Sequence, residues 1–320
     1  MDQRLLITDF ADDISAIDTH YLRPGLASSH LILNEGRAAF IDTGANNAIP
    51  MLLDALGEKA IGCDQVDYVL LTHVHLDHAG GAGLLMEALP NAVAVIHPRG
   101  APHMADPSKL EAGTRAVYGD KQFERLYGFL KAIDSDRIRT VEDGEVLSLS
   151  GRELEFIHTE GHARHHYCIV DRQSNSVFTG DTFGLSYRDL DTDKGAFVFP
   201  TTTPIQFDPE ALHASIDRIM AYRPAALFLT HYSRVTDLDR LAADLHADID
   251  AFCELARDAW DKDDRENRLV AGLTEYLYHR MDAHGCVSDP VWRNEIVGPD
   301  MSLNASGLLI WLDRLARSTT

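Results

Sequence analysis

Thr72-His73-Val74-His75-Leu76-Asp77-His78-Ala79-Gly80-Gly81 is the stretch from which the rest of the chain can be read. Four metal-competent side chains, His73, His75, Asp77 and His78, fall within six residues, directly after the apolar run Val69-Leu70-Leu71. An α-helix would put His73 and Asp77 on one face and His75 and His78 on another. A strand would gather His73, His75 and Asp77 but point His78 away. Only an irregular loop at a strand end lets all four converge, on one metal or on two adjacent ones. The bland alternative is a polar surface loop, which loses weight as further segments of the same kind appear along the chain.

At 320 residues the chain can form one large domain, or one domain with an appendage. Its 45% hydrophobic and 25% charged residues are ordinary for a globular protein. A net charge of −21, from 29 basic against 50 acidic residues, repels phosphate backbones and anionic lipid. Nucleic acid and membrane are therefore disfavoured as partners, and a small-molecule substrate is expected. Met1-Asp2-Gln3-Arg4, followed by Asp9, Asp12 and Asp13, lacks a basic, apolar leader pattern. No run approaches the roughly 18 apolar residues of a membrane helix. Cys63, Cys168, Cys253 and Cys286 form no close pair, so reduced thiols and a cytoplasmic location are expected.

Outward from the loop, apolar runs at Leu5–Ile7, His30–Leu33 and Ala38–Ile41 read as strands, with a hairpin turn at Asn34-Glu35-Gly36. Asp42-Thr43-Gly44 ends the last of them. Helical spacing covers Ala48–Leu56 and Ala82–Leu89, around the strand Val66–Leu71 and before the strand Val93–Ile96, an α/β order. Residues 97–136 lack strand pattern and read as a helical insertion, with helical spacing over Phe123–Leu130. Arg99, His103, Lys109, Arg115 and Tyr118 are its candidate substrate contacts. Strands resume at Glu153–Ile157, Tyr167–Val170, Ser176–Thr179 and Ala225–Leu229, with a helix at Pro209–Met220 and a turn-rich loop over Phe199–Pro204. From residue 237 apolar residues recur at three- and four-residue steps (Leu238, Leu241, Leu245, Ile249; Leu269, Leu273, Leu277; Leu308, Leu312, Leu315). These predict three amphipathic helices, 237–320, joined near Asp263 and Pro290, whose stripes pack on the main body or form a homodimer. The expected division is a catalytic domain over 1–236 and a helical extension over 237–320.

Three other segments repeat the grammar of the opening loop, an apolar strand followed by a metal-competent residue. They are Phe156-Ile157-His158-Thr159-Glu160-Gly161-His162, Val177-Phe178-Thr179-Gly180-Asp181 and Leu227-Phe228-Leu229-Thr230-His231. Strand C-termini are where α/β proteins collect catalytic groups. In this order, after His-x-His-x-Asp-His, the segments resemble the metallo-β-lactamase superfamily over roughly residues 5–235. The resemblance implies a four-layer αββα sandwich and a site for two divalent ions, zinc first, with iron or manganese as alternatives. It implies His73, His75 and His162 as ligands of one ion, Asp77, His78 and His231 of the other, and Asp181 as the bridge. Asp42 matches the family's buried supporting carboxylate. His166 keeps the spacing of a further family histidine, and it or His165 either lines the pocket or caps the next strand. His20, His30, His97, His213, His246, His279 and His284 carry no such grammar.

Imidazole and carboxylate suit these metals. Two divalent ions outweigh the charge of Asp77, Asp181 and a bridging hydroxide, leaving a positive centre in an acidic protein. The implied chemistry is hydrolysis by that hydroxide, with Asp77 taking or returning a proton. Family branches differ at readable positions. True β-lactamases lack a carboxylate at the Asp181 position. Thr182-Phe183-Gly184-Leu185 departs from the persulfide dioxygenase pattern, Gly184 stands where acyl-homoserine lactonases place Tyr, and His75 stands where flavodiiron members use Glu. The nuclease branches carry extra domains or basic exosites, which the net charge of −21 argues against. What remains is a hydrolase of a small ester-like bond, a thioester or carboxylic ester (lactones included) ahead of a phosphodiester. The alternatives are a non-haem diiron oxygen-binding or redox protein on the same ligands, and a metal-retaining binding or regulatory module. Metal analysis of natively purified protein separates the first of these; removal of residues 237–320 tests the second.

Overall fold

The computed structural model describes residues 5–203 and 205–318. Residues 1–4, Pro204 of the turn-rich loop and the side chain of Tyr118, a candidate substrate contact, lie outside the described residues. The chain divides into two compact units. The first comprises Met1–His158, His165–Gly180 and Pro224–Arg234; the second comprises Thr159–Arg164, Asp181–Arg223 and Val235–Thr320.

The first unit is built on two sheets. One holds seven strands in chain order: β1 (Ile7–Phe10), β2 (Ile14–Asp18), β3 (Ser28–Asn34), β4 (Arg37–Ile41), β5 (Val66–Leu71), β6 (Val93–Ile96) and β7 (Ile138–Thr140). Strands β1 to β4 pair antiparallel, and β4 to β7 pair parallel. Glu35 and Gly36 both have positive φ, 46° and 73°, which is what a tight two-residue hairpin between β3 and β4 requires. The parallel part is fed by helices α1 (Ile49–Glu58), the single turn α2 (Leu76–Ala79) and α3 (Ala82–Ala88). The second sheet runs β13-β12-β11-β10-β9-β8, from β8 (Val146–Leu149), β9 (Arg152–His158), β10 (Tyr167–Asp171), β11 (Ser176–Gly180), β12 (Ala226–Leu229) and β13 (Ser233–Val235).

Ile14, Ile32, Ile41, Leu70 and Val95 of the first sheet form one buried cluster with Leu154, Phe156, Tyr167, Ile169, Phe178 and Phe228 of the second. The other face of the first sheet, with Leu31, Phe40, Val69 and Leu71, packs on Leu52 and Leu56 of α1 and Leu85 and Met86 of α3. Helices, sheet and sheet are thus stacked in this unit, with the central strands of the first sheet showing alternate side chains to two cores. His30 on β3 shares the inter-sheet space, its ring 5.4 Å from Phe178 and 5.5 Å from Phe228.

Burial pushes the His30 pKa down to about 4. A histidine depressed in the folded state contributes stability above its unfolded value, and that stability is lost as pH falls from about 6.5 toward 4. We expect metal-free protein to lose on the order of 3 kcal/mol across that window from this residue. Urea unfolding at several pH values should show the slope in wild type and a flatter one in His30→Phe. Equal slopes would remove His30 as the cause.

Several elements differ from the sequence-based expectation. Strand β2 and the short β7 and β8 carry too many polar or exposed positions to show as apolar runs. Helix α1 continues through Gly57. The opening loop is only half irregular, because Leu76–Ala79 closes a helical turn. The insertion holds three helices, α4 (Ala101–Ala105), α5 (Ser108–Tyr118) and α6 (Asp120–Leu126), and the expected helical run to Leu130 stops four residues early. Arg115 lies over the Phe123 ring at 4.1 Å and pairs with Glu111 and Asp120, so it ties α5 to α6.

The second unit is helical. Helix α7 (Pro209–Ala221) is capped by Asp208, which accepts from the Ala211 amide at 3.2 Å, with proline in the first turn. The three expected C-terminal helices are α8 (Leu238–Trp260), α9 (Arg265–His284) and α10 (Pro290–Ser318). They pack on one another, burying Leu241, Leu245, Ile249 and Phe252 with Leu269, Leu273, Leu277 and Leu308, while Leu315 is exposed. Among the described residues no helix is long and apolar enough to cross a membrane.

Candidate metal centre

The centre is built from strand ends. Strand β4 stops at Asp42, which is fully buried and turns the chain at φ 57°, a conformation aspartate tolerates better than most residues. Its Oδ1 accepts from the Thr72 amide at 2.9 Å, at the end of β5. Its Oδ2 accepts from His78 Nδ1 at 2.8 Å and from Thr230 Oγ1 at 2.8 Å, at the end of β12. Thr72 Oγ1 lies within 3.0 Å of both carboxylate oxygens. One carboxylate therefore ties together three strand ends. Thr72 and Thr230 escaped the sequence reading, although each directly precedes a histidine at a strand end, a repeated Thr-His that was a usable signal.

These bonds also orient the imidazoles. With Nδ1 of His78 held by Asp42, its Nε2 faces Asp77, 3.7 Å from Oδ2. His231 donates from Nδ1 to the Leu26 carbonyl at 2.8 Å; a carbonyl only accepts, so that tautomer leaves the lone pair on Nε2. That Nε2 lies 3.3 Å from the same Asp77 oxygen. One donor atom from each of Asp77, His78 and His231 lies within 4.8 Å of the others. Two imidazole nitrogens and a carboxylate, each ring fixed by an acceptor behind it, fit a zinc, iron or manganese ion.

His73 and His75 occupy the extended part of the same loop. Nε2 of His73 is 2.9 Å from Nδ1 of His75, and the His73 ring centre is 4.0 Å from that of His78. His166 is buried and stacks on His73 at 4.9 Å, and His165 lies 5.6 Å from His75. Both members of the pair thus sit among the loop histidines. The glycine of Thr179-Gly180-Asp181 has a steric reason: its φ is 49°, and a Cβ would come within 2.6 Å of His166 Nε2 and 2.7 Å of Thr72 Oγ1.

In the second unit His162 and Asp181 are both buried, with His162 Nε2 3.4 Å from Asp181 Oδ2. Nδ1 of His162 lies 3.5 Å from the Thr201 carbonyl. Gly161 before it has φ 128° and lies against the α7 backbone, where a Cβ would meet Leu212 atoms at 2.4 Å.

Other candidates lie differently. His158 is engaged with the Val141 carbonyl at 3.0 Å, its ring 4.1 Å from that of His97. His97 accepts from the Arg99 amide at 3.0 Å, and burial with neighbouring positive charge pushes its pKa down to about 3. The Arg99 side chain is exposed, His103 is half-buried on α4 and Lys109 is exposed on α5.

The family model described as the Metallo-beta-lactamase superfamily matches residues 22–231, and the chain belongs to that superfamily. A metallo-beta-lactamase fold-containing protein of Sulfurisphaera tokodaii, ST1585, is 29% identical over 214 residues, 65% of this chain and 73% of that protein. Its crystal structure superposes with a TM-score of 0.65 at 23% identity, covering 93% of this chain and 99% of the other. An atrochrysone carboxyl ACP thioesterase of Cryptosporiopsis is 24% identical over 155 residues, 48% of this chain. The match spans only 37% of that thioesterase's length.

Proposed function

We propose that the protein is a dinuclear metal-dependent hydrolase acting on a small ester-like substrate, a thioester ahead of a carboxylic ester, lactone or phosphodiester. In this reading Asp77, His78 and His231 hold one divalent ion, and the family pattern assigns His73, His75 and His162 to the other, with Asp181 as the bridging carboxylate. The observation that carries it is the convergence of His78 Nε2 and His231 Nε2 on Asp77, with both rings locked from behind. When bound, the ions supply Lewis-acid polarisation of the scissile group and water that ionises near neutral pH.

The chain's own residues do the rest. Asp42 and the Leu26 carbonyl hold two imidazoles with their lone pairs inward, so little reorganisation accompanies binding. The Asp77 side chain is 24% exposed, enough to meet a water or leaving group, and its carboxylate can accept a proton from the one and return it to the other. A thiolate is a better leaving group than an alkoxide, its conjugate thiol ionising at about 8.5, so a thioester makes the smaller demand on this carboxylate. The relative named as a thioesterase supports the same order of preference.

Purified, metal-reconstituted protein assayed against thioesters, lactones and phosphodiesters should show its highest kcat/KM on a thioester. Metal-loaded protein that turns over no member of the panel would sink the hydrolase reading. Asp181→Ala should lower metal content and abolish turnover of an activated nitrophenyl ester. Unchanged content and activity would show that the bridging role is misassigned.

A further inference from the structure

Helices α7 and α8 carry five-residue phrases alike in every position but the third, His213-Ala214-Ser215-Ile216-Asp217 and His246-Ala247-Asp248-Ile249-Asp250. A four-residue step places the histidine and the final aspartate of each phrase on one helix face. The two faces meet. Nδ1 of His213 lies 2.5 Å from Nδ1 of His246, and the rings meet edge to edge, 4.8 Å between centres and 11° between planes. The carboxylates cross over: His213 Nε2 is 3.2 Å from Asp250 Oδ1, and His246 Nε2 is 3.2 Å from Asp217 Oδ1. The histidine side chains are only 26% and 29% exposed, while the two aspartates reach solvent at 76% and 74%.

Both Nδ1 atoms cannot carry protons at that separation, so at least one lone pair faces the other ring, where it can accept a shared proton or meet a metal ion. Behind each ring a carboxylate of the opposite helix takes the Nε2 proton. That is the carboxylate–histidine–metal arrangement, which fixes the ligating tautomer and raises the basicity of the ligating nitrogen. We propose that His213 and His246 bind a divalent transition ion, zinc or copper in class, through their Nδ1 atoms, with Asp217 and Asp250 as the orienting carboxylates. Two zinc–nitrogen bonds of about 2.0–2.1 Å at a tetrahedral angle need the nitrogens about 3.3 Å apart. The part-buried rings would have to open by about 1 Å and tilt so that both lone pairs meet at one point, releasing any proton they share. All four residues lie in the second unit, and none of them is among the candidate ligands of the centre described above.

Zinc equilibrium dialysis of the full chain, already loaded at its first centre, tests the site. Wild type should take up one ion per chain more than His213→Gln or His246→Gln, whatever the first centre holds. Melting curves of the metal-free variants check that each is folded, and the second variant stands in if the first is not. Asp250→Asn, which leaves both ligands in place, should weaken the extra uptake about 10–100-fold. Equal uptake by wild type and a folded glutamine variant would overturn the proposal.

Discussion

Asp77→Asn should lower kcat/KM on an activated ester by about 10²–10⁴-fold, the range over which a positioned proton carrier contributes. Asparagine keeps the shape and an oxygen facing His78 and His231, but it cannot take up a proton. The pH profile separates the two duties proposed for this carboxylate. A variant that retains its metal but loses the acidic limb of its rate profile has lost the proton carrier, while one that loses metal has lost a ligand. A kcat within a factor of two of wild type, with metal bound, would remove Asp77 from the chemistry.

The second large effect belongs to a residue that touches neither substrate nor the ion positions. Asp42→Ala removes the acceptor for the Thr72 amide, the Thr72 and Thr230 hydroxyls and His78 Nδ1, all of them buried. It also leaves an alanine at φ 57°. Orphaned buried donors cost about 1–3 kcal/mol each, partly relieved by rearrangement. We expect a loss on the order of 3–5 kcal/mol in urea unfolding of metal-free protein. The freed His78 ring should bind its metal about 10–100-fold more weakly. Asp42→Asn should not rescue either property, because its amide nitrogen would face donors. A stability cost below about 1 kcal/mol would mean that the three strand ends are held together by something else.

The centre was legible where ligand type, close spacing and a preceding apolar strand coincide, as from His73 to His78. Parallel strands buried on both faces announce themselves as continuous apolar runs, so β4, β5, β6 and β12 could be placed. Asp42 and His166 were visible only through the family resemblance, since one buried aspartate or histidine has no pattern of its own. Edge strands β7 and β8 were hidden because exposed positions break their apolar character. His213 and His246 carry no signal in the sequence, because a polar pair four residues apart is also what a solvated helix face looks like. Only the meeting of two such faces distinguishes them, and that is a property of packing.

The bond from Asp42 to Thr230 spans 188 residues of sequence. A chain emerging from the ribosome makes its histidine loop early, with Thr72 and His78 already in reach of Asp42, but the Thr230 hydroxyl and the His231 imidazole arrive only when β12 has been synthesised and inserted beside β11. Until then the trio of Asp77, His78 and His231 lacks one of its three members. Long-range closure of this kind is slow compared with local helix formation. Under the proposed assignment, the Asp77–His78–His231 trio is therefore complete only once residue 231 has been put in place.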